Sequence, residues 1–292
     1  MKRDFVSILD FTKDEIYEIF DITKRLKSKK EKPLQDKTFV LIFEKPSLRT
    51  RVTFETGIVQ LGGASIYLAG KDIGFGVRET IKDIAQNLSR WVDGIIARTF
   101  AHKSVEELAK YATIPVINAL SDDEHPCQVL ADLFTIYEKV GKLEGVRITW
   151  IGDGNNVCHS LMLGAKLVGA KLTVATPHGY EPKEFYIKNS NAKIIHDPRE
   201  AVKHAEFIYT DVWASMGQEA EREKRLRDFQ NFQVNSDLLK FAPQNTYIMH
   251  CLPAHRGEEI TDEVIDGPNS IVLEQAENRL HVQKAILVKL CG

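Results

Sequence analysis

At 292 residues the chain has room for two α/β domains or one large one. Its 43% hydrophobic and 27% charged residues describe an ordinary globular protein. A formal net charge of −2 excludes a general attraction to nucleic acid, so any basic cluster must act locally. The cysteines Cys127, Cys158, Cys251 and Cys291 are widely spaced and form no CxxC pair. That spacing argues against a disulfide framework and for reduced thiols in a cytoplasmic compartment. Met1 to Phe5 leads straight into Ser7-Ile8-Leu9-Asp10 without the apolar run of a signal peptide, and no stretch has transmembrane length. Neither secretion nor a membrane partner is expected.

Along the chain, Ile16, Ile19, Phe20, Ile22 and Leu26 recur at helical spacing behind Thr12, a plausible N-cap. Strands are then expected at 38–43, 65–68, 94–97, 116–118, 147–151, 171–175, 193–195, 207–210, 246–249 and 270–273. Helices are expected between most of them, at 51–61, 80–91, 105–111, 128–140 and 156–168. This alternation predicts an α/β protein of two doubly wound domains, each a mainly parallel sheet flanked by helices. The division expected is 1–137, 138–274 and a final helical stretch, 275–292, which the pattern alone allows to pack on either domain. The charged run 218–227 reads as a solvated face.

Several polar features sit just past predicted strands, where parallel sheets bind ligands. Ser47-Leu48-Arg49-Thr50-Arg51 opens a helix, whose free N–H groups attract anions while an arginine fork suits phosphate. Arg98 closes the third strand. In His125-Pro126-Cys127-Gln128, Pro126 suits a first helical turn, and His125 and Gln128 offer groups to grip a carbonyl or its amino group. Gly152-Asp153-Gly154-Asn155-Asn156-Val157 joins strand to helix. The third glycine of a dinucleotide fingerprint is replaced by Val157, and no acidic residue ends the next strand, so NAD is not expected. Asn156 suits a carboxylate instead. Asp211 ends another strand, before a Ser215-Met216-Gly217 turn that suits a lid. His250-Cys251-Leu252-Pro253-Ala254-His255 resembles a metal set, but adjacent residues on an extended segment should point to opposite faces, so no metal is expected. Arg49, Arg98, His125, Asn156, Asp211 and Cys251 share this strand-end position and are expected to converge on one crevice.

From Phe5 to Leu290 the chain resembles the ornithine carbamoyltransferases. The resemblance rests on Ser47-Leu48-Arg49-Thr50-Arg51, His125-Pro126-Cys127-Gln128, Asp211-Val212-Trp213-Ala214-Ser215-Met216-Gly217 and His250-Cys251-Leu252-Pro253. It implies transfer of a carbamoyl group from carbamoyl phosphate to the δ-amine of L-ornithine, giving L-citrulline and phosphate. It also implies a carbamoyl-phosphate domain, an ornithine domain, a C-terminal helix returning to the first, a homotrimer or multiple of trimers, and no cofactor. Carried over, Ser47, Leu48, Arg49 and Thr50 hold phosphate. Arg98, His125 and Gln128 grip the carbamoyl group, with Arg279 adding a cation. Asn156, Asp211, Ser215 and Met216 bind ornithine, while Cys251 and Leu252 also contact carbamoyl phosphate and lie near the reacting amine. Cys251, Arg98, His125 and Asp211 are the catalytic set implied. Gly74 departs from the family, which usually has Gln there to reach carbamoyl phosphate; the loss implies weaker binding or a substitute from Arg78. Alternatives are a carbamoyltransferase for another amine, such as putrescine, and a non-catalytic metabolite-binding paralogue.

Overall fold

A computed structural model describes residues 2–214 and 219–292. The chain divides into two units. One holds the chain up to Phe134 together with Glu277–Gly292, the other Thr135–Ala276.

The first unit is built on β1 (Thr38–Phe43), β2 (Ala64–Ala69), β3 (Gly94–Arg98) and β4 (Val116–Leu120), all parallel, in the order β2-β1-β3-β4. β1 and β3 are central and buried on both faces, hence their unbroken apolar runs, Phe39–Phe43 and Ile95–Ala97. The order reverses between β1 and β3, the point where a doubly wound sheet opens a crevice at its carboxyl edge. Helix Lys13–Ser28 is set by its cap: Thr12 and Glu15 form a reciprocal capping box. Its buried face, with Ile16, Ile19 and Phe20, meets Phe134, whose ring lies edge-on to Phe20 at 5.3 Å. Most of the last helix, Val272–Cys291, belongs to this unit, where Lys289 pairs with Glu18 and Lys284 Nζ donates to Gln60 at 3.1 Å.

The second unit contains β5 (Arg147–Ile151), β6 (Lys171–Ala175), β7 (Lys193–Ile195), β8 (Phe207–Thr210) and β9 (Tyr247–His250), parallel in the order β7-β6-β5-β8-β9. Its reversal lies between β5 and β8. Trp150 and Tyr209, both fully buried, pack across that pair with ring centroids 4.9 Å apart.

Two expectations need correction. The strand expected at 270–273 is absent: Ser270 makes only an isolated bridge to Ile248, and a helix starts at Val272. The apolar run Ile271-Val272-Leu273 is the opening of an amphipathic helix, and three residues cannot show which period they follow. The charged run is not wholly a solvated face, because Arg225 is buried. Its guanidinium lies 3.0 Å from buried Asp153 and donates to the Trp213 carbonyl at 2.9 Å. After β5, Gly154 serves the protein's own backbone. A Cβ on Gly154 would sit 2.2 Å from Pro182 N, so the loop through Glu181 and Pro182 can pass only over glycine.

Candidate active site

In the first unit the site grows from the carboxyl ends of β1, β3 and β4. Ser47 caps the helix Leu48–Gln60, its hydroxyl accepting the Thr50 N–H at 3.2 Å. No acidic residue occupies that first turn, so its positive end is left uncompensated by side chains of the helix itself. Arg98, the last residue of β3, is buried, and its Nε has no hydrogen-bond partner among the described residues. Arg279 reaches in from the last helix. It donates to Gln128 Oε1 and, at 3.2 Å, to Thr50 Oγ1, which leaves the Thr50 hydroxyl proton to donate elsewhere. Gln128 is fixed from its other end, Nε2 donating to Asp132 at 2.8 Å.

The electrostatics follow from that crowding. Burial, then Arg279, then Arg49, pushes Arg98 down to about 10. Lys45, just past β1, is lowered by burial and then by Arg98. His125 is buried, and burial, then Arg279, Arg98 and Arg49, holds its imidazole well below the ordinary range. It is therefore neutral at neutral pH and can donate one N–H. Three cations around a neutral imidazole, with Lys45 beside Arg98, repel one another and favour an anion, most strongly a multivalent one. Cys127 in the same motif is pushed by burial up to about 12 and donates to the Asn118 carbonyl at 3.3 Å, which makes it a structural thiol.

In the second unit Asp211 follows β8, Cys251 follows β9, and Asn155 and Asn156 follow β5, all at the reversal or beside it. The Asp211 carboxylate, 7% exposed, is held by three donors. They are Asn155 Nδ2 at 2.8 Å, the Val212 N–H at 2.8 Å and the Cys251 thiol at 2.9 Å. Asn155 is also the N-cap of helix Asn156–Val168, its Oδ1 accepting from Val157 at 3.0 Å and Cys158 at 3.1 Å. Asn156, the residue expected to act, sits one position into that helix. Ser215 and Met216 lie outside the described residues.

Cys251 and His250 do not diverge as expected. Ligand atoms of Asp211, His250 and Cys251 lie within 4.8 Å of one another. The imidazole is nevertheless committed elsewhere. Its Nδ1 accepts the Leu252 N–H at 2.9 Å, so Nε2 carries the proton and donates to Glu259 Oε1 at 3.1 Å. With no lone pair left, His250 is a brace for the turn. That turn holds Leu252 at φ 59, a left-handed conformation costing a non-glycine residue about 1–2 kcal/mol. Gln275 Oε1 accepts the His250 backbone N–H at 2.9 Å and steadies the same corner.

Residues 3–138 match the family description "Aspartate/ornithine carbamoyltransferase, carbamoyl-P binding domain", and residues 144–290 match its "Asp/Orn binding domain". The chain belongs to the aspartate/ornithine carbamoyltransferase family. A curated relative, "Ornithine carbamoyltransferase, anabolic" from Pyrococcus furiosus, is 54% identical over 304 residues, covering 99% of this chain and 96% of its own. One named "Ornithine carbamoyltransferase" from Methanosarcina acetivorans is 52% identical over 300 residues, covering 99% of both. The solved structure "Ornithine carbamoyltransferase from Pyrococcus furiosus" is similar with a TM-score of 0.96 and 53% identity, over 100% of this chain and 97% of that one.

Within the family's frame Arg279 is informative. Its sequence position falls in the Asp/Orn match, yet its side-chain bonds go to Thr50 and Gln128 of the first unit. Lys45 and Asn155 were missed from sequence. Lys45 lies just past a strand end, the signal that singled out Arg98. Asn155 was hidden by its neighbour, since either asparagine of the pair satisfies a cap preference.

Proposed function

We propose that this chain transfers the carbamoyl group of carbamoyl phosphate to the δ-amine of L-ornithine, giving L-citrulline and phosphate. The observation that carries this reading is the match to both family domains, with full-length relatives more than 50% identical named for that activity. In this account Ser47, the backbone of Leu48, Arg49 and Thr50 take the phosphate, helped by Arg279 and by Lys45. Arg98, His125 and Gln128 take the carbamoyl group. Asn156, Asp211, Ser215 and Met216 take the amino acid, and Cys251 with the Leu252 carbonyl lines the path of the δ-amine.

The reaction needs a neutral amine to attack the carbamoyl carbon, with the reacting atoms held in one geometry. As the new C–N bond forms, charge builds on the carbamoyl oxygen. Arg98, the single N–H of neutral His125 and the Thr50 hydroxyl are preorganised donors of the kind that stabilise such an oxyanion. The bond from carbon to the phosphate oxygen then breaks, and phosphate departs among Arg49, Arg279 and the helix N-terminus. Asp211 and Cys251 orient the amine and draw off its proton.

The resemblance further supports an assembly of trimers, a cytoplasmic setting and a place in arginine biosynthesis, the last consistent with the "anabolic" relative. Among the described residues no helix is long and apolar enough to cross a membrane. The reading is tested by incubating the purified chain with carbamoyl phosphate and L-ornithine, with putrescine, lysine and N-acetylornithine in parallel. Citrulline formed faster than any other carbamoylated product supports it. Faster turnover with another amine, or none with any, refutes it.

A further inference from the structure

Outside the residues used above, the second unit brings together His178 and Glu181, in the loop after β6, and His196, directly after β7. Their ligand atoms all lie within 4.8 Å of one another. His178 Nδ1 stands 3.7 Å from Glu181 Oε1, and His196 Nε2 stands 3.9 Å from the same oxygen. The arrangement is oriented from behind. His196 Nδ1 lies 2.8 Å from the Thr176 carbonyl, which only accepts, so Nδ1 carries a proton and Nε2 is the ring atom turned towards Glu181. Glu181 Oε2 accepts the Gly179 N–H at 2.8 Å, leaving Oε1 to the imidazoles. Nε2 of His196 and Oε1 of Glu181 are both able to donate a lone pair to one ion. A backbone carbonyl accepting from the far nitrogen is a usual outer partner of a metal-bound histidine.

We propose that His178, Glu181 and His196 form a surface site for a divalent transition-metal ion, zinc foremost. Two imidazoles and one carboxylate suit zinc, cobalt or nickel and not the all-oxygen preference of magnesium or calcium. Bonds of about 2.1 Å in a tetrahedron put ligand atoms about 3.4 Å apart, so the two measured separations must close by a few tenths of an ångström, and the two rings, whose centroids lie 3.6 Å apart at 34°, must turn so that both lone pairs meet at the ion. The exposed side chains can move that far. The ion would tie the loop after β6 to the end of β7, a three-residue edge strand. It would also brace the glycine turn before Asn155, because Gly154 N–H donates to the Tyr180 carbonyl at 2.9 Å inside that loop. The role is structural and separate from the transfer chemistry.

The other two candidate clusters are committed. His250 has both ring nitrogens bonded, and in His255–Glu258–Glu259 the Glu259 Oε1 already receives the His250 ring and the His255 N–H, while Arg222 pairs with Glu258.

The test is cobalt(II) titration of the metal-free full chain, followed by zinc displacement and thermal unfolding with and without zinc. One cobalt per chain should give visible d–d bands without a near-ultraviolet thiolate charge-transfer band. The bands should persist in Cys251→Ala and vanish in His178→Ala and in His196→Ala. Zinc should raise Tm in the wild type but not in His178→Ala, a fully tolerable change at a side chain that is 82% exposed. Absence of bands at millimolar cobalt overturns the proposal. So do a thiolate band lost in Cys251→Ala and bands that survive His196→Ala.

Discussion

Replacing Asn155 by Ala removes in one step the cap of the helix Asn156–Val168 and one of the three donors that hold Asp211. The cap is worth about 1 kcal/mol of stability. The bond from Nδ2 to the Asp211 carboxylate, at 2.8 Å, involves a charged acceptor and is worth about 1.5–3 kcal/mol. If that bond positions Asp211 for the amine, kcat/KM for ornithine falls about ten- to a hundredfold. The KM for carbamoyl phosphate should stay near the wild-type value, since its proposed ligands are other residues. Asn155→Asp separates the two roles. It keeps an acceptor for the Val157 and Cys158 N–H groups at a helix end that favours negative charge, but sets a second carboxylate against Asp211. The Asp variant should therefore keep the cap's contribution to stability but not that of the Asp211 bond, and lose ornithine turnover at least as severely as Ala. Steady-state citrulline formation with each substrate varied in turn, alongside thermal unfolding, reads both effects. Equal loss towards both substrates, or normal ornithine kinetics in Asn155→Asp, would refute the reasoning.

Other expectations follow from the same geometry. Gly74→Gln should lose about 1–2 kcal/mol, because Gly74 sits at φ 59 and a Cβ there would lie 2.7 Å from Arg78 Cβ. A Gln there therefore strains the backbone whatever its side chain reaches. Adding Arg78→Gly should recover part of the loss in thermal unfolding, and a single variant as stable as wild type would contradict this. Arg225→Met should destabilise by about 3–5 kcal/mol in urea unfolding, because it strips the cation from buried Asp153, already pushed by burial up to about 6. A loss no larger than at an exposed arginine would show that the pair contributes little. His125 is held below its unfolded value of about 6.5, so the folded state binds fewer protons there. Its contribution to stability is complete above about pH 6.5 and is lost as pH falls below that. His125→Gln should flatten this acid slope, and an unchanged slope would place the titration elsewhere.

Much of the architecture is legible in the sequence because parallel strands buried on both faces leave apolar runs of unmistakable length. Phe39 to Phe43 is an example. The site residues are legible for a related reason: a sheet of this kind gathers polar groups at its carboxyl edge, so Arg98 and Asp211 stand out against the apolar strands they end. What stays hidden depends on contacts distant in sequence. Nothing local says that Arg225, amid a charged run, is buried against Asp153, or that His250 is committed to Leu252 and Glu259. Gly74 shows a missing side chain in sequence, whereas only the backbone shows that its φ now requires glycine. The run 270–273 was misread because three apolar residues fit a strand and a helix start equally.

The central claim is a division of labour, with carbamoyl phosphate held chiefly by residues of the first unit and the amine by residues of the second. Its most direct test measures carbamoyl-phosphate binding calorimetrically, and citrulline formation, in wild type, Arg98→Ala and Asp211→Asn. The account predicts citrulline from the wild type, loss of carbamoyl-phosphate binding and turnover in Arg98→Ala, and normal carbamoyl-phosphate binding without turnover in Asp211→Asn. Carbamoyl-phosphate binding that survives Arg98→Ala unchanged, or that is lost in Asp211→Asn, would contradict it.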